Sequence, residues 1–363
     1  MTLAGELSVR VHAPAGVVTA VDIASTRPQL AQTLLAGRPL AEALATVPTI
    51  FAVCGRAQAV AAQLAAAAAG AIPAPDVALR ERQIEAEIAQ EYLLQLLLRW
   101  PRAAGGVPDA AAVARLRASL VAGDTAALRT VVERDVLGMT CEAWLDSHVP
   151  AFEIWIARGA TLAATHLADV QRDGARHGAG GIALLPLVAT EPAFAQEIAQ
   201  AVASDAEFPR APIRHGAPAE TGALARLQQQ PLVAALCAAY GHSTLARLVA
   251  RVTELARMAA GRAAPAPLSG SVRTGPAAGL GWVETARGLL VHWLELAPGA
   301  AVPAAQRWRI VAPTEWNFHP RGALAAGLLG AHVAGREELR RRADWLIDAL
   351  DPCVSYRLEV VDA

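Results

Sequence analysis

The sequence predicts a mainly α domain with a small β component drawn from both ends of the chain. Three observations carry that expectation. Helix-period apolar spacing recurs through most of the 363 residues, while strand-like alternation is confined to residues 6–23 and to short runs between 281 and 311. The composition, 54% hydrophobic against 18% charged, can bury a substantial core. No internal repeat or low-complexity tract beyond alanine bias divides the chain, so residues 1–363 are read as a single domain.

The elements follow in order. Residues 6–12 alternate polar and apolar side chains, Pro14-Ala15-Gly16 signals a turn, and 17–23 reads as the returning strand of a hairpin. A helix follows Arg27, with Pro28 near its start and Gly37 near its end, and a second covers 40–47. Cys54 lies just before the helix former 56–69, where the partial positive charge of a helix N-terminus favours a thiolate. The clearest amphipathic helix is 78–100, ended by Pro101. Helical patterns recur at 109–121, 125–136, 142–158, 191–203, 221–239 and 242–262. The Ala-, Pro- and Ser-rich stretch 261–275 reads as an exposed loop, followed by strands at 281–284, 289–296 and 308–311 and closing helices at 322–333 and 336–350.

Composition also excludes function classes. A formal net charge of −1 leaves no electrostatic footprint for nucleic acid or an anionic membrane, and three tyrosines and five phenylalanines supply no base-stacking surface. The first ten residues show no secretory signal. The alanine-dominated run 57–75 reads as a buried helix rather than a membrane span, so no membrane insertion is expected and the cytoplasm is the default location. The four cysteines, at 54, 141, 237 and 353, have no disulfide-framework spacing.

Two fragments roughly 300 residues apart carry the chemistry: Cys54-Gly55-Arg56-Ala57-Gln58 and Asp351-Pro352-Cys353-Val354-Ser355-Tyr356. They resemble the C-G-x-C and D-P-C-x-x-C motifs of nickel–iron hydrogenase large subunits, each lacking its second cysteine. The likeness extends further, in family order. Pro212-Ile213-Arg214-His215-Gly216 and Glu220-Thr221-Gly222-Ala223-Leu224-Ala225-Arg226 resemble P-R-Y-x-G…E-V-G-P-L-A-R. Val283-Glu284-Thr285-Ala286-Arg287-Gly288-Leu289-Leu290-Val291-His292 resembles V-E-A-P-R-G-x-L-x-H, and Pro313-Thr314-Glu315-Trp316-Asn317 with Pro320-Arg321 resembles P-T-x-W-N…P-R. The departures matter as much. Ala57 and Tyr356 stand where the family has the cysteines that bridge nickel and iron, and Ala4 stands at the place of its proton-relay glutamate. Glu359 takes the place of the terminal histidine, with no cleavable tail after it. The combination is similar to the HupK/HoxV family of hydrogenase maturation proteins.

That resemblance implies a large-subunit-like fold whose chain ends meet at a metal site. It implies a non-catalytic scaffold or metallochaperone that transiently carries an Fe(CN)2CO unit to the apo large subunit, with no nickel. The implied partners are that subunit and the accessory chaperones of the maturation machinery. Low-spin iron(II) with three diatomic ligands has three positions left, and soft thiolates suit it. Cys54 and Cys353 would supply two, with solvent or a partner's cysteine as the third. In the enzymes the retained positions are the terminal nickel ligands, so iron held here would sit displaced from its mature location or be bound more weakly. By the same resemblance Arg287 would donate to one cyanide, Thr314 to the other, and Pro313 would wall the diatomics, with Ala286 in place of a family proline.

The remaining candidates read as structural. A cysteine is commonly a small buried hydrophobe, which is the reading for Cys141 and Cys237. His292 and His319 read as satisfied core histidines, and Asp351 as a local turn cap. Residues 178–181 lack the context of a phosphate loop, and His148 and His166 lack zinc-hydrolase spacing. Two alternatives stand beside the carrier: a metal-free chaperone of the immature large subunit or its accessory proteins, and a divergent redox enzyme with a mononuclear iron site. The second would need a cluster-bearing partner, because no iron–sulfur motif is present.

Overall fold

Strand β1 (Glu6–His12) lies at the centre of a three-stranded sheet that joins the two chain ends. It pairs antiparallel with β2 (Ala20–Ser25), Val9 opposite Ile23, and parallel with β9 (Ser355–Val361), Val9 opposite Leu358. The computed structural model describes residues 5–51, 53–100, 113, 114, 120 and 124–362. Ala4 and most of the helix expected at 109–121 lie outside the described residues. Leu7, Val9 and Val11 bury one face of β1 against helices Ala323–Leu328 and Arg336–Leu350. β2 begins three residues later than the alternation suggests, because Val17 bridges His332 and the Val18 amide donates to Ala331 O. The same pairing ends the helix expected at 322–333 early: the Gly330 amide donates to Val18 O and the Val333 amide to Gly16 O. β9 was not anticipated.

Besides a short parallel pair, β3 (Ala183–Leu184) with β4 (Ala219–Glu220), the chain forms a larger second sheet. It is antiparallel, in the order β5 (Ser269–Gly275), β6 (Ala278–Thr285), β7 (Gly288–Leu296), β8 (Ala305–Val311). β5 overturns part of the expected 261–275 loop. Its alternating polar residues Ser271, Arg273 and Thr274 look loop-like in sequence, yet an edge strand has to bury only one side. Helix Gly55–Ala68 packs directly on β6. Ala57, Ala61 and Ala65 are buried on the helix, while Gly279 and Gly281 present no side chain. A Cβ built on Gly281 would stand 2.2 Å from Ala61 O, so only glycine permits this approach.

Helices fill the rest. The expected 78–100 helix is Val77–Leu94 continued by a π-helical turn, Gln95–Arg99, and 125–136 is Thr125–Val131 continued by π-helical Val132–Leu137. Two single expectations divide at prolines that begin new helices: 142–158 into Cys141–Leu145 and Val149–Arg158, and 221–239 into Ala223–Leu227 and Pro231–Tyr240. Helix Leu162–Arg172, capped by Thr161 Oγ1 on the Ala164 amide, was missed.

Helix Thr244–Ala259 is buried at every position. Its Glu254 and Arg247 are held in buried salt bridges, and Arg251 is met by Gln95 and two backbone carbonyls. Glu254 accepts from Arg226 and from the Tyr92 hydroxyl, and Arg226 also reaches Glu284 at 3.0 Å. Arg247 forms a bidentate pair with Glu220, at 2.7 Å on both arms. These salt links tie the helical layer to the β6–β7 sheet and fix the turn between those strands. Among the described residues no helix is long and apolar enough to cross a membrane.

Candidate metal-binding site

Five segments far apart in sequence converge at one end of the Gly55–Ala68 helix. They are the stretch after β2 with Arg27, the helix start with Cys54, the β6–β7 turn with Arg287, the short helix Pro313–Asn317 after β8, and the loop before β9 with Cys353. Both cysteines are half-buried and free. They lie close enough for the charge of Cys353 to bear on Cys54, and Arg27 and Arg287 each feel both.

Cys54 occupies the N-cap of its helix, as expected, but its charge state is the reverse of the expectation. Its side chain makes no capping bond. The Glu87 carboxylate takes the two free amides instead, accepting from Arg56 N and Ala57 N at 3.0 Å each. Burial above all, then the Cys353 charge, push the Cys54 thiol up to about 12, with Glu87 adding to them and Arg287 and a Gln58 hydrogen bond opposing. Without a bound metal, Cys54 is a thiol at neutral pH.

Cys353 is held differently. Its Sγ accepts from the Thr314 hydroxyl at 3.1 Å and from Arg27 Nη1 at 3.3 Å, and its amide donates to Thr314 Oγ1 at 3.2 Å. Thr314 thus fixes both backbone and sulfur of Cys353. The hydroxyl that the resemblance assigns to a cyanide donates to sulfur in this structure. Pro313 starts the short helix and is buried beside Thr314.

Arg287 is 4% exposed. Its Nη2 donates to Glu91 at 2.9 Å, and its Nε stands 3.1 Å from Asp351 Oδ2 as an ion pair not aligned as a hydrogen bond. Burial opposes its charge, but Asp351, Glu91 and the two cysteines hold the guanidinium well above its ordinary range. Asp351 does cap, its amide donating to Ile347 O at 2.8 Å as the C-cap of helix Arg336–Leu350, but its side chain has a further role. It sits in the left-handed region (φ 50°) at the end of helix Arg336–Leu350, and its carboxylate joins Arg287 to Arg99, which donates to Oδ1 at 2.9 Å. Burial favours its acid form, yet Arg287, Arg251 and Arg99 keep it below the usual carboxylate range.

The replacements at the two lost cysteine positions part ways. Ala57 is buried in the first turn of the helix, against the core. Tyr356 is exposed, and its hydroxyl donates to Asp344 at 3.0 Å. Cys141 is buried and pushed up to about 12 by burial, and Cys237 is half-buried. His319 Nδ1 accepts from the Arg321 amide, His148 Nδ1 from the Ala151 amide, and His166 stacks on Trp100 at 4.3 Å. Gly178 and Gly180 pack against helices Thr244–Ala259 and Ala323–Leu328, with no phosphate-loop geometry.

Sequence reasoning missed Arg27, Gln58, Glu91 and Glu315. Arg27 precedes a proline and reads only as a helix start, yet its guanidinium lies 3.7 Å from Glu315 as well as against Cys353. Burial raises Glu315 from 4.5 to about 7, and Arg27 and Arg210 only partly oppose it. A raised carboxyl favours the fold while protonated, so this stability is complete below pH 4.5 and lost as pH rises through 7. The full swing is about 3 kcal/mol. Between pH 5 and pH 8 the unfolding free energy from urea denaturation is expected to fall by most of that swing, about 2 to 3 kcal/mol, more in the wild type than in Glu315→Gln; equal slopes would refute the assignment.

No family model matches the sequence. The chain is 35% identical to the hydrogenase expression/formation protein HoxV of Cupriavidus necator, across 94% of this chain and 93% of that protein. It is 32% identical to hydrogenase expression/formation protein HupK of Azotobacter vinelandii, across 99% and 100%, and 30% identical to HupK of Rhizobium leguminosarum, across 99% and 98%. Among solved structures it is similar to the nickel–iron–selenium hydrogenase of Desulfovibrio vulgaris Hildenborough, with a TM-score of 0.58 at 19% identity over 93% of this chain and 94% of that one. An NAD+-reducing nickel–iron hydrogenase gives 0.54 at 15% identity, over 93% of each chain. The fold is that of the nickel–iron hydrogenase large subunit.

Proposed function

The chain belongs to the HoxV/HupK family of hydrogenase expression/formation proteins, and from that premise we propose that it is a non-catalytic carrier holding an Fe(CN)2CO unit between Cys54 and Cys353. A role in hydrogenase maturation follows from the family; the cargo is our reading. One observation carries it: two cysteines from opposite ends of the chain are brought to a single half-buried site beside two arginines.

The charges fit such a cargo. Iron(II) and two cyanides cancel, so two thiolate ligands leave a double negative charge, which Arg27 and Arg287 face. Soft sulfur suits low-spin iron. Among the described residues no group of three or more His, Cys, Asp and Glu is placed to hold a metal ion, so two sulfurs and three diatomics leave one coordination position to solvent or to a partner's cysteine. Hand-over to the apo large subunit would begin at that position. Arg287 would donate to cyanide nitrogen, a buried acceptor that needs a partner, and Thr314 would do so by turning its hydroxyl from Cys353 Sγ. Loading displaces the Cys54 proton, so binding of the cargo and deprotonation of the site are one step.

Infrared spectra of protein purified anaerobically from cells expressing the maturation machinery test this reading. Cyanide and carbonyl stretching bands are expected in the wild type and not in Cys54→Ala/Cys353→Ala. An intact, co-expressed wild type without them would instead support the metal-free chaperone of the immature large subunit.

A further inference from the structure

Beneath Cys54 a chain of buried hydrogen bonds runs from the second sheet to the sulfur. Trp308 Nε1 lies 3.2 Å from His292 Nδ1, His292 Nε2 lies 2.7 Å from Gln58 Oε1, and Gln58 Nε2 lies 3.6 Å from Cys54 Sγ. His292 and Trp308 are 0% exposed and Gln58 is 1% exposed, so water does not substitute for these partners.

The direction of every bond follows from the first. An indole nitrogen can only donate, so His292 Nδ1 must accept. Burial lowers the histidine to about 3 and keeps the ring neutral, which places its single hydrogen on Nε2. That hydrogen requires an acceptor, so the amide oxygen of Gln58 faces the ring and its NH2 group faces Cys54. The neighbouring strands hold the relay rigidly: His292 pairs with Ile310 and Gly281, and Gly281 lies beneath the same helix as Gln58.

We propose that Gln58, oriented by His292 and Trp308, is a positioning residue that donates a fixed N–H···S hydrogen bond to Cys54 and thereby weakens this sulfur as an electron donor to iron. The tuning of iron rests on the carrier function proposed above; the hydrogen bond does not. Donation to a thiolate stabilises its negative charge and draws electron density away from the metal. A carrier must release its cargo, and an attenuated ligand at one of two sulfurs favours release.

Two measurements test the proposal. In the metal-free, reduced protein, alkylation of each cysteine by iodoacetamide at pH 9 is followed by mass spectrometry in wild type, Gln58→Leu and His292→Leu. Loss of the donor is expected to slow Cys54 about fivefold in both variants, because less thiolate is present, while Cys353 reacts at its wild-type rate. An unchanged Cys54 rate in folded Gln58→Leu overturns the proposal. Should His292→Leu not fold, Gln58→Leu decides alone. In the loaded protein the carbonyl band of Gln58→Leu is expected at lower wavenumber than in wild type, since a stronger sulfur donor feeds more density into the carbonyl. An unmoved band overturns the tuning of iron. Absence of bands from the wild type itself overturns the carrier function, and the alkylation rates still judge the hydrogen bond.

Discussion

Replacing Cys353 by serine is expected to reduce hydrogenase maturation to the level of a strain lacking the gene while leaving the protein folded. The two atoms are of similar size, and a serine hydroxyl can accept from Thr314 and Arg27 as the sulfur does, at 3.1 and 3.3 Å in the wild type. The backbone bond from residue 353 to Thr314 Oγ1 is untouched. What changes is the ligand. A hydroxyl does not ionise near neutral pH, and hard oxygen is a poor partner for low-spin iron. The measurement is hydrogenase activity in cells carrying Cys353→Ser as their only copy, beside the thermal midpoint and iron content of the purified variant. Unchanged midpoint with lost activity and iron supports the carrier. Full maturation by a stable Cys353→Ser would show that the sulfur is dispensable and would favour a metal-free chaperone.

How far the sequence led depended on whether a feature was local. Helix 336–350 and strand 6–12 follow from periodicity, because each buries one face within a few residues. The strands expected at 281–284, 289–296 and 308–311 lie within 278–285, 288–296 and 305–311, and burial of both faces of β6 and β7 leaves no alternation to fix their ends. Ser355–Val361 did not follow, since its partner is β1 at the other end of the chain. Nor did Ser269–Gly275, since its Gly- and Ser-rich composition reads as loop although it pairs with the next strand. The site divides the same way. Cys54, Arg287, Thr314 and Cys353 were legible through short motifs. Arg27, Gln58 and Glu315 matter because folding sets them against Cys353, His292 and Arg27, which are 326, 234 and 288 positions away, and no spacing rule reports such contacts. The thiolate expected at Cys54 failed for a related reason: folding buries the sulfur beside Cys353, and Glu87, from another helix, takes amides that would have stabilised it.

Gly281→Leu is expected to lower the unfolding free energy by about 3 kcal/mol, the upper end of what overpacking usually costs. The obstruction is backbone, not side chain. A Cβ at this position would meet Ala61 O at 2.2 Å and Ala65 N at 2.5 Å, and no rotamer change moves a peptide group in the middle of a helix. Relief requires the Gly55–Ala68 helix to lift from β6. That helix carries Cys54 at its start and Gln58 in its first turns, so the same displacement draws the sulfur away from Cys353, Arg287 and the His292 relay. The variant should therefore show two linked effects: a lower denaturation midpoint and, because release from burial and from the Cys353 charge outweighs loss of the Gln58 relay, faster alkylation of Cys54 in the population that remains folded. Gly335→Ser serves as control. Gly335 has open space around its Cβ position and precedes helix Arg336–Leu350, where serine is a favourable cap, so its stability should be unchanged or slightly raised. If Gly281→Leu were as stable as that control, the close seating of helix on strand would not be what positions Cys54, and the geometry of the site would have to depend on its own hydrogen bonds alone.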